Sequence, residues 1–143
     1  MKKAIKQKVE KEILEKVREF VKEECEKSTS NYKGIYENHL LKMVPLSLEL
    51  AKELNVDLEV VEIASWFHDI GAIIYGRENH HVTGAEIAEK KLREWNYSKE
   101  KIEKVKHCIL AHRSSQGIIP ETIEAKIVLE SDNLSNFDNL CDL

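Results

Sequence analysis

The sequence predicts an all-α fold: one compact bundle of five to six helices. Three observations predict it. The 143 residues include only five glycines and two prolines, too few for the tight turns of an all-β chain. The chain is 34% charged and 42% hydrophobic, and is rich in Lys, Glu, Leu and Ile, which lose little rotamer freedom in a helix. Apolar residues also recur at three- and four-residue spacing through most of the sequence. The length fits a single domain over residues 1–143, because a chain this short forms one core.

The elements follow in order. Residues 1–27 read as an N-terminal packing helix with Ile5, Val9, Ile13, Val17, Phe20 and Val21 on one face and Lys and Glu between them. Ser28-Thr29-Ser30-Asn31 breaks it and offers several N-caps. A second helix runs from Tyr32 to Leu54 on Leu40, Leu41, Val44, Leu48, Ala51 and Leu54. Pro45 within it predicts a kink between Leu41 and Pro45, since proline lacks a donor and clashes with the preceding turn. Asp57 caps a third helix carrying Val60, Val61, Ala64 and Phe67, and Gly71 reads as its terminator. Residues 72–79 read as a loop. A fourth helix spans Val82 to Trp95 on Ala85, Ile87, Ala88, Leu92 and Trp95. Ser98 caps a fifth, with Ile102, Val105, Ile109 and His112. Residues 114–121 form a loop. Thr122 caps the last helix, with Ile123, Ile127, Val128, Leu134 and Phe137.

Composition narrows the function. The net charge of −4 comes from 22 basic and 26 acidic residues, a balance that does not make a basic surface for duplex nucleic acid. No apolar run approaches the roughly 20 residues that span a bilayer, and the basic start is not followed by a signal-peptide core, so no membrane partner is expected. Cys25, Cys108 and Cys141 are odd in number and lack CxxC spacing, which points to a reducing cytoplasm. Cys108 reads as a small buried residue.

The histidines are clustered. All six lie between positions 39 and 112, and five of them between 68 and 112. His39, the pair His68-Asp69, His81, His112 and Asp132 each fall at or near an apolar helix face. Buried carboxylates are costly unless paired or metal-bound, and helical bundles build metal sites from such inward side chains. Imidazole and carboxylate together suit Mn, Fe, Co, Ni or Zn.

The order His39, His68-Asp69, Asp132 resembles the signature of the HD-domain superfamily of metal-dependent phosphohydrolases. The likeness runs over about residues 32–138. His39-Leu40-Leu41-Lys42-Met43 resembles its first-histidine helix, and Trp66-Phe67-His68-Asp69-Ile70-Gly71 its His-Asp string. His81-Val82-Thr83-Gly84-Ala85-Glu86-Ile87-Ala88 and Ile109-Leu110-Ala111-His112-Arg113 resemble segments that carry further histidines in binuclear members. Glu124 to Leu134 resembles the segment of the last aspartate, with Ser131 where alanine is common.

The resemblance implies one divalent ion on His39, His68, Asp69 and Asp132, and a second on His81 and His112 bridged by Asp69. Mn, Fe, Co, Ni, Mg and Zn are all open as the metal, with one or two ions bound. His80 competes with His81, which is favoured because Gly84 follows three residues later. His107 competes with His112, with a surface or capping role as its other reading. The implied activity is hydrolysis of a phosphate monoester or diester, with nucleotides among the substrates, by hydroxide formed at the metal. Asp69 would orient that water, and Lys42 and Arg113 would stabilise phosphate charge. Arg77 is a weaker substrate contact. Two other readings use the same residues: an HD-like mixed-valent di-iron oxygenase and a non-catalytic metal-binding or signalling module. Relatives continue into further helices after the last aspartate, whereas eleven residues follow Asp132 here, so a homodimer contact through that end is the expected cover for its apolar surface.

Overall fold

In the computed structural model, residues 2–141 are described, with side chains for all of them except 114 and 137–141. Seven α-helices form, and no strand occurs among the described residues. They are α1 (Lys2–Glu26), α2 (Leu41–Lys52), α3 (Leu58–Phe67), α4 (Ile70–Tyr75), α5 (His80–Glu94), α6 (Lys99–Leu110) and α7 (Ile123–Cys141). Phe137 lies outside the residues whose side chains are described.

The bundle is organised around α3. Val60, Val61, Ile63, Ala64, Ser65, Trp66 and Phe67 are all buried, and a helix buried on most of its faces belongs at the centre of a core. It packs against α1, α2, α5, α6 and α7. Its start is set by Asp57, whose Oδ1 accepts from the Val60 amide at 3.2 Å. Ser98 caps α6 through the Lys101 amide, and the Thr122 hydroxyl accepts from the Ala125 amide at 3.1 Å at the head of α7.

The N-terminal helix packs through only part of its length. Ile13, Val17 and Val21 are buried, each contributing about 1.5–3 kcal/mol of apolar transfer. Ile5 and Val9, on the same stripe, stay exposed because no element lies beneath the first turns. Leu41, Leu54, Ile123 and Leu134 are likewise exposed. Leu50, Leu54, Ile123 and Leu134 line one shallow groove between α2 and α7.

Two local features differ from the periodicity reading and both bear on the site. The expected kink is a π-helical turn, Tyr36–Leu40, running directly into α2, with Pro45 in the second turn beyond it. Such wide turns occur where a helix is re-aimed at a functional site, and this one carries His39. The second is Gly71, which does not end a helix. Residues 70–75 are helical, and the helix stops at Gly76, whose φ of 96° is one that glycine adopts freely. Gly71 serves a close approach instead. A Cβ there would lie 2.4 Å from the His80 carbonyl oxygen and 2.7 Å from the Gly84 nitrogen. α4 and the start of α5 therefore pack nearly backbone to backbone, which brings the first residue of α5 up to Asp69.

Candidate metal centre

Six elements deliver the site. His39 comes from the π turn and His68 from the end of α3. Asp69 stands just before α4, His80 opens α5, His112 follows α6, and Asp132 sits in α7. Two groups of potential ligand atoms result, His39, His68, Asp69 and Asp132 in one, and Asp69, His80 and His112 in the other. In the first, His39 Nε2 is 3.1 Å from His68 Nε2, 2.9 Å from Asp132 Oδ1 and 3.6 Å from Asp69 Oδ2. His68 Nε2 is 3.0 Å from Asp69 Oδ2 and 3.3 Å from Asp132 Oδ1. In the second, Asp69 Oδ1 is 3.3 Å from His80 Nε2 and 3.5 Å from His112 Nε2, and those two nitrogens are 3.2 Å apart. Asp69 thus turns one oxygen to each group.

The donor set fits divalent cations. The Nδ1 of His68 donates to the Ser65 carbonyl at 2.7 Å, that of His80 to the Arg77 carbonyl at 2.9 Å, and that of His112 to the Ile109 carbonyl. A carbonyl only accepts, so each Nδ1 carries a proton, and the neutral form of each ring turns its Nε2 lone pair toward the cluster. Lone pairs of His80 and His112 facing each other at 3.2 Å repel unless a positive charge lies among them. Ligand atoms about 2.1 Å from a common ion are separated by about 3.0 Å in an octahedron and about 3.4 Å in a tetrahedron. The observed separations of 2.9–3.6 Å span both values.

The electrostatics make the same demand. Burial alone would lower the pKa of His68, but the charges of Asp69 and Asp132 hold it well above the ordinary imidazole range. Burial would raise Asp69, but the charge of His68 and hydrogen bonds from His112, His68 and His80 hold it well below the carboxylate range. Asp132 is lowered against its own burial by the charge of His68 and hydrogen bonds from His39 and His68. These carboxylates are anions that call for a cation beside them.

Helix geometry separates the neighbouring histidines. His80, not His81, faces Asp69 and His112. Successive residues on a helix point about 100° apart, so the bond from His80 to the Arg77 carbonyl turns the next imidazole elsewhere. His81 is buried, and its Nδ1 has no hydrogen-bond partner among the described residues. Burial and then the charge of Arg113 lower its pKa. His107 accepts from the Glu121 amide at 2.9 Å and so pins the loop before α7.

The ligand groups open into a cleft of about 380 Å³ whose lining includes Tyr32, Ile35, Asn38, Arg77, Arg113 and Asn136. Arg113 and Arg77 therefore border the same cleft as the ligand groups. Lys42 is exposed and does not line the cleft. Sequence reasoning missed Ser135, which is buried with its Oγ 3.1 Å from His39 Nδ1. Its spacing of three from Asp132, which puts both on one helix face, was the available signal. It also missed Tyr32, whose hydroxyl accepts from Arg77.

Residues 36–136 match the family model described as HD domain. The chain belongs to the HD-domain family. The clustered His and Asp residues suit the metal-dependent centre of that family. This HD domain superposes on a "predicted HD superfamily hydrolase" from an uncultured Thermotogales bacterium with a TM-score of 0.69 and 23% identity, over 84% of this chain and 66% of that one. Bacillus subtilis YpgQ in complex with ADP gives a TM-score of 0.64 at 20% identity, over 88% of this chain and 59% of that one. In sequence, the domain is 31% identical over 107 residues to a tRNA (cytidine(56)-2'-O)-methyltransferase of Thermoplasma volcanium. That match takes in 68% of this chain and 30% of the enzyme, so the chain spans under a third of that relative. No helix among the described residues is long and apolar enough to cross a membrane.

Proposed function

We propose that this HD domain is a metal-dependent phosphohydrolase acting on a small phosphorylated substrate, with a nucleotide as the leading candidate. His39, His68, Asp69 and Asp132 would hold one divalent ion, and Asp69, His80 and His112 a second. The observation that carries the reading is the split use of Asp69, with Oδ2 toward one group and Oδ1 toward the other. A bound divalent ion of the Mn, Fe, Co, Ni or Zn type lowers the pKa of water from 15.7 to roughly 7 and polarises a phosphoryl oxygen.

The remaining work falls to the chain. Arg113, beside His112, and Arg77, on the loop before His80, line the cleft, and their guanidinium forks suit a phosphoryl group as it gains charge. Tyr32 and Ile35 wall the cleft and limit water around the bound group. The ADP held by YpgQ supports a nucleotide as the ligand class to try first.

The test is metal analysis of the purified protein, joined to a panel of phosphate monoesters and diesters with Mn, Ni, Co and Mg. Turnover that needs metal is expected, with metal content and activity both lost in Asp69→Ala. A variant with full metal content and full activity would refute the reading. Tightly bound iron with oxygen consumption and no ester turnover would replace it with oxygenase chemistry.

A further inference from the structure

We infer that the two ion positions are unequal: the first fills by itself, and the second fills only together with a phosphoryl anion, because Arg77 and Arg113 oppose it until that anion arrives. The inference rests on the phosphohydrolase reading and adds an order of binding to it.

The asymmetry lies in charge and in donor number. The first group has four donors, two of them carboxylates. The second has three donors, two of them neutral imidazoles, and its carboxylate, Asp69, is shared with the first. One divalent ion therefore cancels the two carboxylates, and a second finds no anion left. Two arginines, Arg77 and Arg113, line the same cleft. Neither Arg77 nor Arg113 has a carboxylate within ion-pairing distance among the described residues. Arg77 is held instead by the hydroxyl and ring face of Tyr32, with its guanidinium carbon 5.0 Å from the ring centroid. Lys33 also lines the cleft, but its ammonium is turned away to the carbonyls of Lys27 and Ser28 at the end of α1.

Formal charge then orders the events. With one ion in place, the cleft keeps the two positive charges of the arginines. A second ion alone would double that charge in a partly desolvated space, where like charges repel more strongly than in water. A phosphoryl dianion arriving with it restores the earlier balance and adds oxygen donors to a position that has only three from the protein. Arg77 also touches this position through its backbone, since its carbonyl fixes the His80 ring. Linkage makes the effect reciprocal: phosphate strengthens the second ion by the factor by which that ion strengthens phosphate, and site-to-site couplings are about 5- to 150-fold.

The experiment titrates metal-stripped protein with Mn2+, reading free Mn2+ by electron paramagnetic resonance, without and with inorganic phosphate. One equivalent bound alone and two with phosphate are expected. R77Q/R113Q, its fold checked by circular dichroism, is expected to take the second equivalent without phosphate and to lose most of the phosphate effect. R77Q and R113Q singly are expected to move the same way and carry the test if the double variant does not fold. Two equivalents of similar affinity without phosphate would overturn the inference. So would one equivalent under both conditions, or arginine variants that titrate like the parent. No Mn2+ binding at all would overturn the phosphohydrolase reading itself.

Discussion

Gly71→Ala tests whether the close approach of α4 and α5 builds the second ligand group. The added Cβ would lie 2.3 Å from Thr83 Oγ1, 2.4 Å from the His80 carbonyl oxygen and 2.7 Å from the Gly84 nitrogen. Thr83 can rotate away, but the other two atoms are backbone. Ordinary contact begins near 3.4 Å, so the head of α5 must retreat by about 1 Å. Overpacking of this kind costs about 1–3 kcal/mol, offset by about 0.5–1 kcal/mol from replacing a helical glycine. A net loss of about 1–2 kcal/mol, with an unfolding entropy of about 0.3 kcal/mol/K for a chain this long, lowers Tm by about 3–7 °C. The same retreat carries His80 from its 3.3 Å separation from Asp69 Oδ1, so the phosphate-dependent Mn2+ equivalent should weaken at least about tenfold while the first is retained. Gly84→Ala is the comparison: its nearest new contact is the Ile109 side chain at 3.3 Å, which can yield, and little loss of stability is expected. Scanning calorimetry and Mn2+ titration of both variants give the answer. A Gly71→Ala protein with the parent's Tm and both Mn2+ equivalents would refute the reasoning.

Other predictions follow from single contacts. His80→Ala should lose the second Mn2+ equivalent, whereas His81→Ala should keep both and lose stability; the reverse result in metal titrations would return the ligand role to His81. Ser135→Ala removes the partner of His39 Nδ1 and should weaken the first ion about 10- to 100-fold, with Ser135→Thr recovering much of the loss, as measured by competition with a chelating dye. The thiols of Cys25 and Cys108 are each pushed up to about 12, chiefly by burial and then by nearby carboxylates. At pH 8 only about one thiol in ten thousand is then ionised, so both should resist iodoacetamide in the folded protein. Their labelling should rise with pH until the thiol pKa is passed, and mass spectrometry that finds either thiol alkylated rapidly at pH 8 would contradict this.

Much of the fold was legible because helix signals are local. Asp57, Ser98 and Thr122 cap the helices they were expected to cap, since an N-cap needs only its own side chain and an amide two or three residues on. Val60, Val61, Ala64 and Phe67 are buried as periodicity required. Ile5, Val9, Leu41, Leu54, Ile123 and Leu134 share that periodicity and stay exposed, because a stripe shows which face is apolar but not how far a neighbour extends over it. Gly71 shows the other limit. Its identity signalled a special backbone position, but a helix terminus and a close helix contact place the same residue in a sequence, and only the approach of α5 separates them.

The sequence by itself determined the all-α class, the capped starts of α3, α6 and α7, and an ordered set of histidines and aspartates that includes His39, His68, Asp69, His112 and Asp132, because type and order are properties of the chain. Tertiary structure decided the rest: that His80 and not His81 faces Asp69 and His112, the loop-pinning role of His107, the turning of Ser135 toward His39, the exclusion of Lys42 from the cleft, and the placing of Arg77 along it. These outcomes depend on a rotation of about 100° per residue and on which helix lies opposite. A step of one position in the sequence therefore carries a side chain from the metal centre to another wall of the bundle.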